Sequence, residues 1–109
     1  MFIFENRIIE TDHHGYLKNS KEWKKSMVYL LAKHENIILT EQHWKIILFI
    51  RKFYLKFNTS PSMRMLTKAV SKQYGEALGN SCYLYNLFPM GPAKQATKLA
   101  GLPKPIKCI

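Results

Sequence analysis

Apolar positions change their period along this chain, and the changes mark its elements. Near the start, Phe2, Phe4 and then Ile8 alternate with polar or outward positions around Glu5-Asn6. That predicts a small β-hairpin, although Glu-Asn is a weaker turn than Asn-Gly. After the punctuation DHHG at 12–15 the period becomes helical. Asn19 offers an N-cap with Glu22 three residues on, the spacing of a capping box, and Trp23, Met27, Leu30 and Leu31 follow at helical intervals. A first helix is expected over 20–34.

Thr40 caps a second helix, in which Trp44, Ile47, Leu48, Ile50, Phe53, Tyr54 and Phe57 form a stripe broad enough for the core helix of the domain. Ser60 as N-cap and Pro61 at the first helical position predict a third helix, closed by Gly75 and burying Met63, Leu66 and Val70. A short fourth helix is expected from Asn80 to before Pro89, and a fifth from Pro92, closed by a left-handed Gly101. Beyond Gly101 the pattern stops. LPKPIKCI alternates proline with lysine, which favours an extended conformation reaching roughly 25 Å. The reading is a mainly α (α+β) domain over 1–101 and a mobile arm over 102–109.

Composition adds one constraint and charge another. With 47% hydrophobic and 22% charged residues, 109 residues make one ordered domain with a single core rather than a disordered chain. The net charge of +10 favours anionic partners, nucleic acid or acidic protein surfaces. From Ala77 to Ile109 there is no Asp or Glu, while Lys94, Lys98, Lys104 and Lys107 all fall there. The amino end lacks the pattern of a secretory signal, and no stretch of about 18 apolar residues could span a bilayer. The protein is expected to be cytoplasmic, free of membrane contact, with both thiols reduced.

No conventional active site is legible. There is no glycine-rich phosphate loop, no GxSxG and no HExxH, and His13, His14, His34 and His43 lack metal-ligand spacing. His13-His14 is read as a surface pair and His43 as a helix-face residue. Cys82 and Cys108 form neither a metal cage nor a redox pair. Cys82 lies in an apolar helical run and is read as packed. Cys108 is next to the last residue, behind two prolines and two lysines, where packing explains it poorly. An extended arm can carry a thiol into another protein's pocket. Lys104 and Lys107 favour its thiolate modestly.

The sequence also resembles a known family. Trp44 with FIRKFYLKFNTSP over 49–61, RML at 64–66, LFPMGPAKQATKLAGLPKPIKCI over 87–109 and GYLKNS at 15–20 are similar to the DsrC/TusE family of small sulfur-relay proteins. That family is also known as the gamma subunit of dissimilatory sulfite reductase. The resemblance covers essentially the whole chain. It implies a helical fold with a hairpin, a helix-turn-helix-like core and a mobile arm.

It also implies a sulfurtransferase, a persulfide carrier in the relay for 2-thiolation of the tRNA wobble uridine. Sulfur would come from a TusBCD-like complex through its TusD-like subunit, and pass to an MnmA-like tRNA thiouridylase with or without bound tRNA. Cys108 would hold it as a persulfide, with no metal and no organic cofactor. Lys94, Lys98, Lys104 and Lys107 would help docking. Members serving sulfite reductase have a second arm cysteine eleven residues earlier, where this chain has Thr97, which favours the tRNA branch. The helix-turn-helix-like arrangement supports an alternative, a nucleic-acid-binding module using Arg64, Lys68 and Lys72 at i, i+4 and i+8.

Overall fold

The computed structural model describes residues 1–103. Strands β1 (Phe2–Phe4) and β2 (Arg7–Ile9) pair antiparallel, with Phe2 opposite Ile9 and Phe4 opposite Arg7. Glu5 and Asn6 both have positive φ (50° and 63°), as a two-residue type I′ turn requires. This register corrects one expectation. Parity puts Ile9, not Ile8, on the face of Phe2 and Phe4, so Ile9 is buried and Ile8 exposed.

The helix expected over 20–34 is two pieces. A 3₁₀ turn (Ser20–Glu22) precedes α1 (Met27–His34), and Trp23 between them is extended, with φ −66° and ψ 137°. Asn19 does cap the first turn, accepting from the Lys21 N–H, but Glu22 pairs with Arg7 at 3.2 Å instead of closing a capping box. The break has a tertiary cause, since the Trp23 indole is committed to the far end of another helix. Beyond α1, Asn36 at φ 58° is a left-handed cap: its N–H reaches the Lys33 carbonyl and that of Ile37 the Ala32 carbonyl.

Helix α2 (Glu41–Phe57) starts at Thr40 as expected. Its capping box uses His43, whose Nδ1 accepts from the Thr40 N–H at 3.1 Å, while its Nε2 donates to the Leu87 carbonyl at 2.7 Å. A backbone N–H only donates and a carbonyl only accepts, so the ring is neutral with its proton on Nε2. His43 is therefore a buried cross-link between α2 and Leu87, forty-four residues on, not just a helix-face residue. The buried stripe is Ile46, Ile47 and Ile50. Leu48 and Phe57, expected in this stripe, stand exposed: Leu48 is turned about 100° from Ile47 and off the buried face, and Phe57 lies two turns past Ile50, the last buried residue of the helix.

Helix α3 (Met63–Tyr74) begins two residues later than expected. Ser62 is the N-cap, its Oγ accepting from the Met65 N–H, and Pro61 lies buried ahead of it. Leu66 and Val70 are buried as expected, and Met63 packs against the core from its edge. Gly75 ends the helix at φ 92°.

Helices α4 (Ser81–Leu87) and α5 (Pro92–Leu99) complete the described fold. In α4 the buried pair is Leu84 and Leu87, which leaves Cys82 exposed rather than packed. The centre of the domain is not α2 alone. Short α5 packs against each of α1, α2, α3 and α4, burying Ala93, Gln95, Ala96, Thr97 and Leu99. Small side chains let four neighbours approach one short helix closely. Among the described residues no helix is long and apolar enough to cross a membrane.

Candidate functional site at the root of the carboxyl-terminal arm

An α-helix leaves its last four carbonyls without intrahelical partners, and a buried end needs others. At the end of α5 all four are satisfied, and the partners come from three directions. Gly101, at φ 70°, donates its N–H to the Lys98 carbonyl and Leu102 donates to Thr97, the paired bonds of a Schellman motif. The Trp23 indole N–H donates to the Leu99 carbonyl at 2.9 Å, and Arg51 Nη1 donates to the Ala100 carbonyl at 2.8 Å.

The same two side chains hold each other. The Arg51 guanidinium lies 4.2 Å from the Trp23 ring centroid and its Nη2 donates to the Ser20 carbonyl at 3.3 Å. Burial pushes the Arg51 guanidinium pKa down from its ordinary value, without removing a charge that the α5 dipole favours here. Gly101 is pressed on the indole so closely that a Cβ there would sit 2.2 Å from Trp23 Cδ1. Leu102, the first residue assigned to the arm, is itself buried. Residues 99–102 are thus held against the body of the domain by Trp23, Arg51 and the α5 cap.

Beside this root lies a cleft of about 430 Å³ lined by His14, Tyr16, Glu35, Lys94, Gln95 and Lys98, with Met90 at its edge. Buried Gln95 bridges it, accepting from the Met90 N–H and donating to Glu35 at 3.2 Å. Glu35 also holds Lys98 at 3.4 Å, and Lys98 sits 5.1 Å from the Tyr16 ring centroid. The Tyr16 hydroxyl donates to the Lys94 carbonyl. Asp12 organises the 12–17 turn on this side, accepting from the His14 and Tyr16 N–H groups. Burial raises the Asp12 pKa, but those backbone bonds and the nearby His14 and His13 outweigh it, for a net lowering.

Of the residues expected to function, Lys94 and Lys98 stand on α5 at this cleft. Lys98 has its own carboxylate, so its charge is largely spent inside the protein; Lys94 is half-buried with no ion pair among the described residues. Lys104, Lys107 and Cys108 lie outside the described residues. Thr97 is buried and donates its hydroxyl to the Ala93 carbonyl at 2.5 Å. Arg64, Lys68 and Lys72 are exposed along α3. Among the described residues no group of His, Cys, Asp or Glu side chains could hold a metal ion.

Sequence reasoning missed Trp23, Arg51, Glu35 and Gln95. The one available signal was Arg51, a charge at i+4 from Ile47 inside the apolar stripe of α2, where only a guanidinium with partners can be accommodated.

Three comparisons place this architecture. The family described as "DsrC like protein" matches residues 3–109. A curated sulfurtransferase TusE of Photorhabdus laumondii is 64% identical over 109 residues, covering all of this chain and 98% of the relative, and that of Yersinia pestis is 62% identical with full coverage of both. The solution structure of Allochromatium vinosum DsrC superposes with a TM-score of 0.89 at 46% identity, covering 99% of this chain and 96% of that one. Near-identical length, the same fold and high identity throughout leave one assignment: the chain belongs to the DsrC-like family, as a sulfurtransferase of its TusE type.

Proposed function

We propose that the protein carries sulfur as a persulfide on Cys108, within the cytoplasmic relay that thiolates the wobble uridine of tRNA. The donor is a TusBCD-like complex, through its TusD-like subunit, and the acceptor is an MnmA-like tRNA thiouridylase. The observation that supports this most is the fully capped α5 terminus, with Trp23, Arg51 and Gly101 all spent on fixing where residues 102–109 depart. Beyond satisfying a buried helix end, these contacts set where the following segment begins, which suits a segment that is presented to a partner. That segment carries a cysteine next to its end.

The chemistry balances without an added oxidant. The Cys108 thiolate attacks the outer sulfur of a donor persulfide; the donor S–S bond breaks, its thiolate leaves, and the sulfur is held as Cys108–S–SH. An acceptor cysteine thiolate then attacks that outer sulfur, and Cys108 leaves as a thiolate. Thr97 agrees with a single-thiol arm, which can pass sulfur on but has no neighbouring thiol on α5 to expel it by forming an internal disulfide. Lys94, Lys98, Lys104 and Lys107 assist docking, Lys98 least because Glu35 already pairs with it.

The test is to incubate the reduced protein with a persulfide-loaded donor complex and read intact and peptide masses. A gain of one sulfur atom at Cys108, removed by a thiol reductant and abolished in Cys108→Ser, is expected. No gain with an active donor, or gain at Cys82 alone, refutes the reading.

A further inference from the structure

Charge is segregated along this chain. Between Glu41 and Glu76 there is no Asp or Glu, while Lys45, Lys52, Lys56, Arg64, Lys68 and Lys72 fall there together with the clamped Arg51. These residues build α2 and α3. Ion pairs form elsewhere, Arg7 with Glu22, Lys24 with Glu5 and Lys98 with Glu35. Among the described residues Lys52, Lys56, Arg64, Lys68 and Lys72 have no carboxylate within pairing distance, and all five are exposed.

Two of them line a built groove. Arg64 and Lys68 share with Thr67, Ser71, Asn80 and Ser81 an open groove of about 730 Å³ between α3 and the start of α4; one carboxylate, Glu76, also borders it. The groove is preformed. A Cβ at Gly79 would lie 2.1 Å from the Ser71 nitrogen, so the turn at 75–80 is pressed directly on the α3 backbone. Two rings at the ends of these same basic helices sit beneath lysines: Tyr74 at the end of α3 with Lys45 at 5.7 Å, and Phe57 at the end of α2 with Lys56 at 5.4 Å. Phe57 is 55% exposed.

We infer that this groove, with the basic faces and ring-bearing ends of α2 and α3, binds RNA through the phosphate backbone. Unpaired cations attract phosphates and release their counterions. The hydroxyls of Ser71 and Ser81 can serve a ribose 2′-OH, which both donates and accepts, while that of Thr67, donated to the Met63 carbonyl, can only accept from one; exposed rings beneath lysines offer stacking to unpaired bases. An acidic protein surface would answer the charge but leave hydroxyls and rings without a task. Duplex DNA has no 2′-OH and keeps its bases stacked. The relay reading is used only in choosing which RNA to offer, a tRNA.

The test is anisotropy of a labelled, unmodified tRNA transcript with the full-length protein across about 50–200 mM salt. Contacts from Arg64, Lys68 and Lys72 predict a log–log salt slope of about −2, at about 0.7 per phosphate on unpaired RNA. Arg64→Ala and Lys68→Ala should each weaken binding by about two- to fivefold and flatten the slope. Lys33→Ala, an exposed lysine on α1, should not, and Cys108→Ser should bind as wild type. A slope near zero, or groove variants equal to wild type at unchanged melting temperature, overturns the inference. So does equal competition by polyglutamate, or equally tight binding of a DNA duplex of matched length. Because Cys108→Ser is one arm, loss of RNA binding with sulfur loading intact rejects this inference alone, and the converse rejects the relay alone.

Discussion

Replacing Gly101 by Ala tests how strongly the arm root is specified. The new methyl carries two separable costs. A residue with a Cβ in the left-handed region, here φ 70°, loses about 1–2 kcal/mol. The methyl would also sit 2.2 Å from Trp23 Cδ1, 2.6 Å from Cγ and 2.7 Å from Cβ, so the indole has to move. Moving it breaks the Nε1 hydrogen bond to Leu99, about 1 kcal/mol, and the contact with Arg51, about 0.5–1 kcal/mol. The sum is about 3 kcal/mol, a large share of the 5–15 kcal/mol of an ordinary domain. For a domain of this size it lowers the melting temperature by about 12–15 °C. Urea unfolding followed by tryptophan fluorescence reads it, with near-ultraviolet dichroism reporting the displaced ring. The same substitution in a Trp23→Ala background should cost about 1.5–2 kcal/mol less, because the hydrogen bond and the Arg51 contact it would break have gone with the ring. A cost below about 1 kcal/mol in the parent, or the same cost in both backgrounds, refutes the close-packing argument.

Arg51→Ala should destabilise by about 1.5–3 kcal/mol through the bond to Ala100 and should reduce partner-dependent sulfur transfer, with Arg51→Lys recovering part of both while Cys108 alkylation by iodoacetamide stays constant. His43→Leu strands the Leu87 carbonyl and the Thr40 N–H and should lower the unfolding free energy by about 2–4 kcal/mol in urea, whereas His43→Gln, which keeps a cap acceptor, should cost less. The lowered Asp12 pKa predicts a stability contribution fully present above the ordinary value of 3.8 and lost as pH falls through the lower folded value. Asp12→Asn should therefore show less acid destabilisation below pH 3.8 than the parent in matched thermal melts, and an identical acid limb would contradict that sign.

Element order and type were legible in the sequence, and the α5 terminus was read almost residue by residue, because Pro92 and Gly101 act through their own backbone preferences. What escaped the sequence was decided by partners remote along the chain. Trp23 reads as the fourth residue of a helix until Leu99 needs its N–H. Serines on both sides of Pro61 make equally good caps, and burial of the proline selects Ser62. Periodicity gave the direction of the α2 stripe but not the turn at which burial ends, so Phe57 looked internal. The centrality of α5 was hidden for the opposite reason: Ala, Gln and Thr look ordinary until four helices close on them. The proposed acceptor of sulfur was plain in the sequence, while the side chains that hold the end of α5 were not.

The packing of α5 also bears on how the protein is made. Synthesis proceeds from the amino end, so α1, α2, α3 and α4 emerge before the element on which all four pack. Their apolar faces, among them Met27, Ile47, Leu66 and Leu84, have no finished core to enter until residue 99 has been added and folded. A nascent chain halted before that point holds its hydrophobic surface open to water, to chaperones and to other nascent chains. Translation speed through the α5 codons, rather than helix propensity earlier in the chain, then sets how long that exposure lasts.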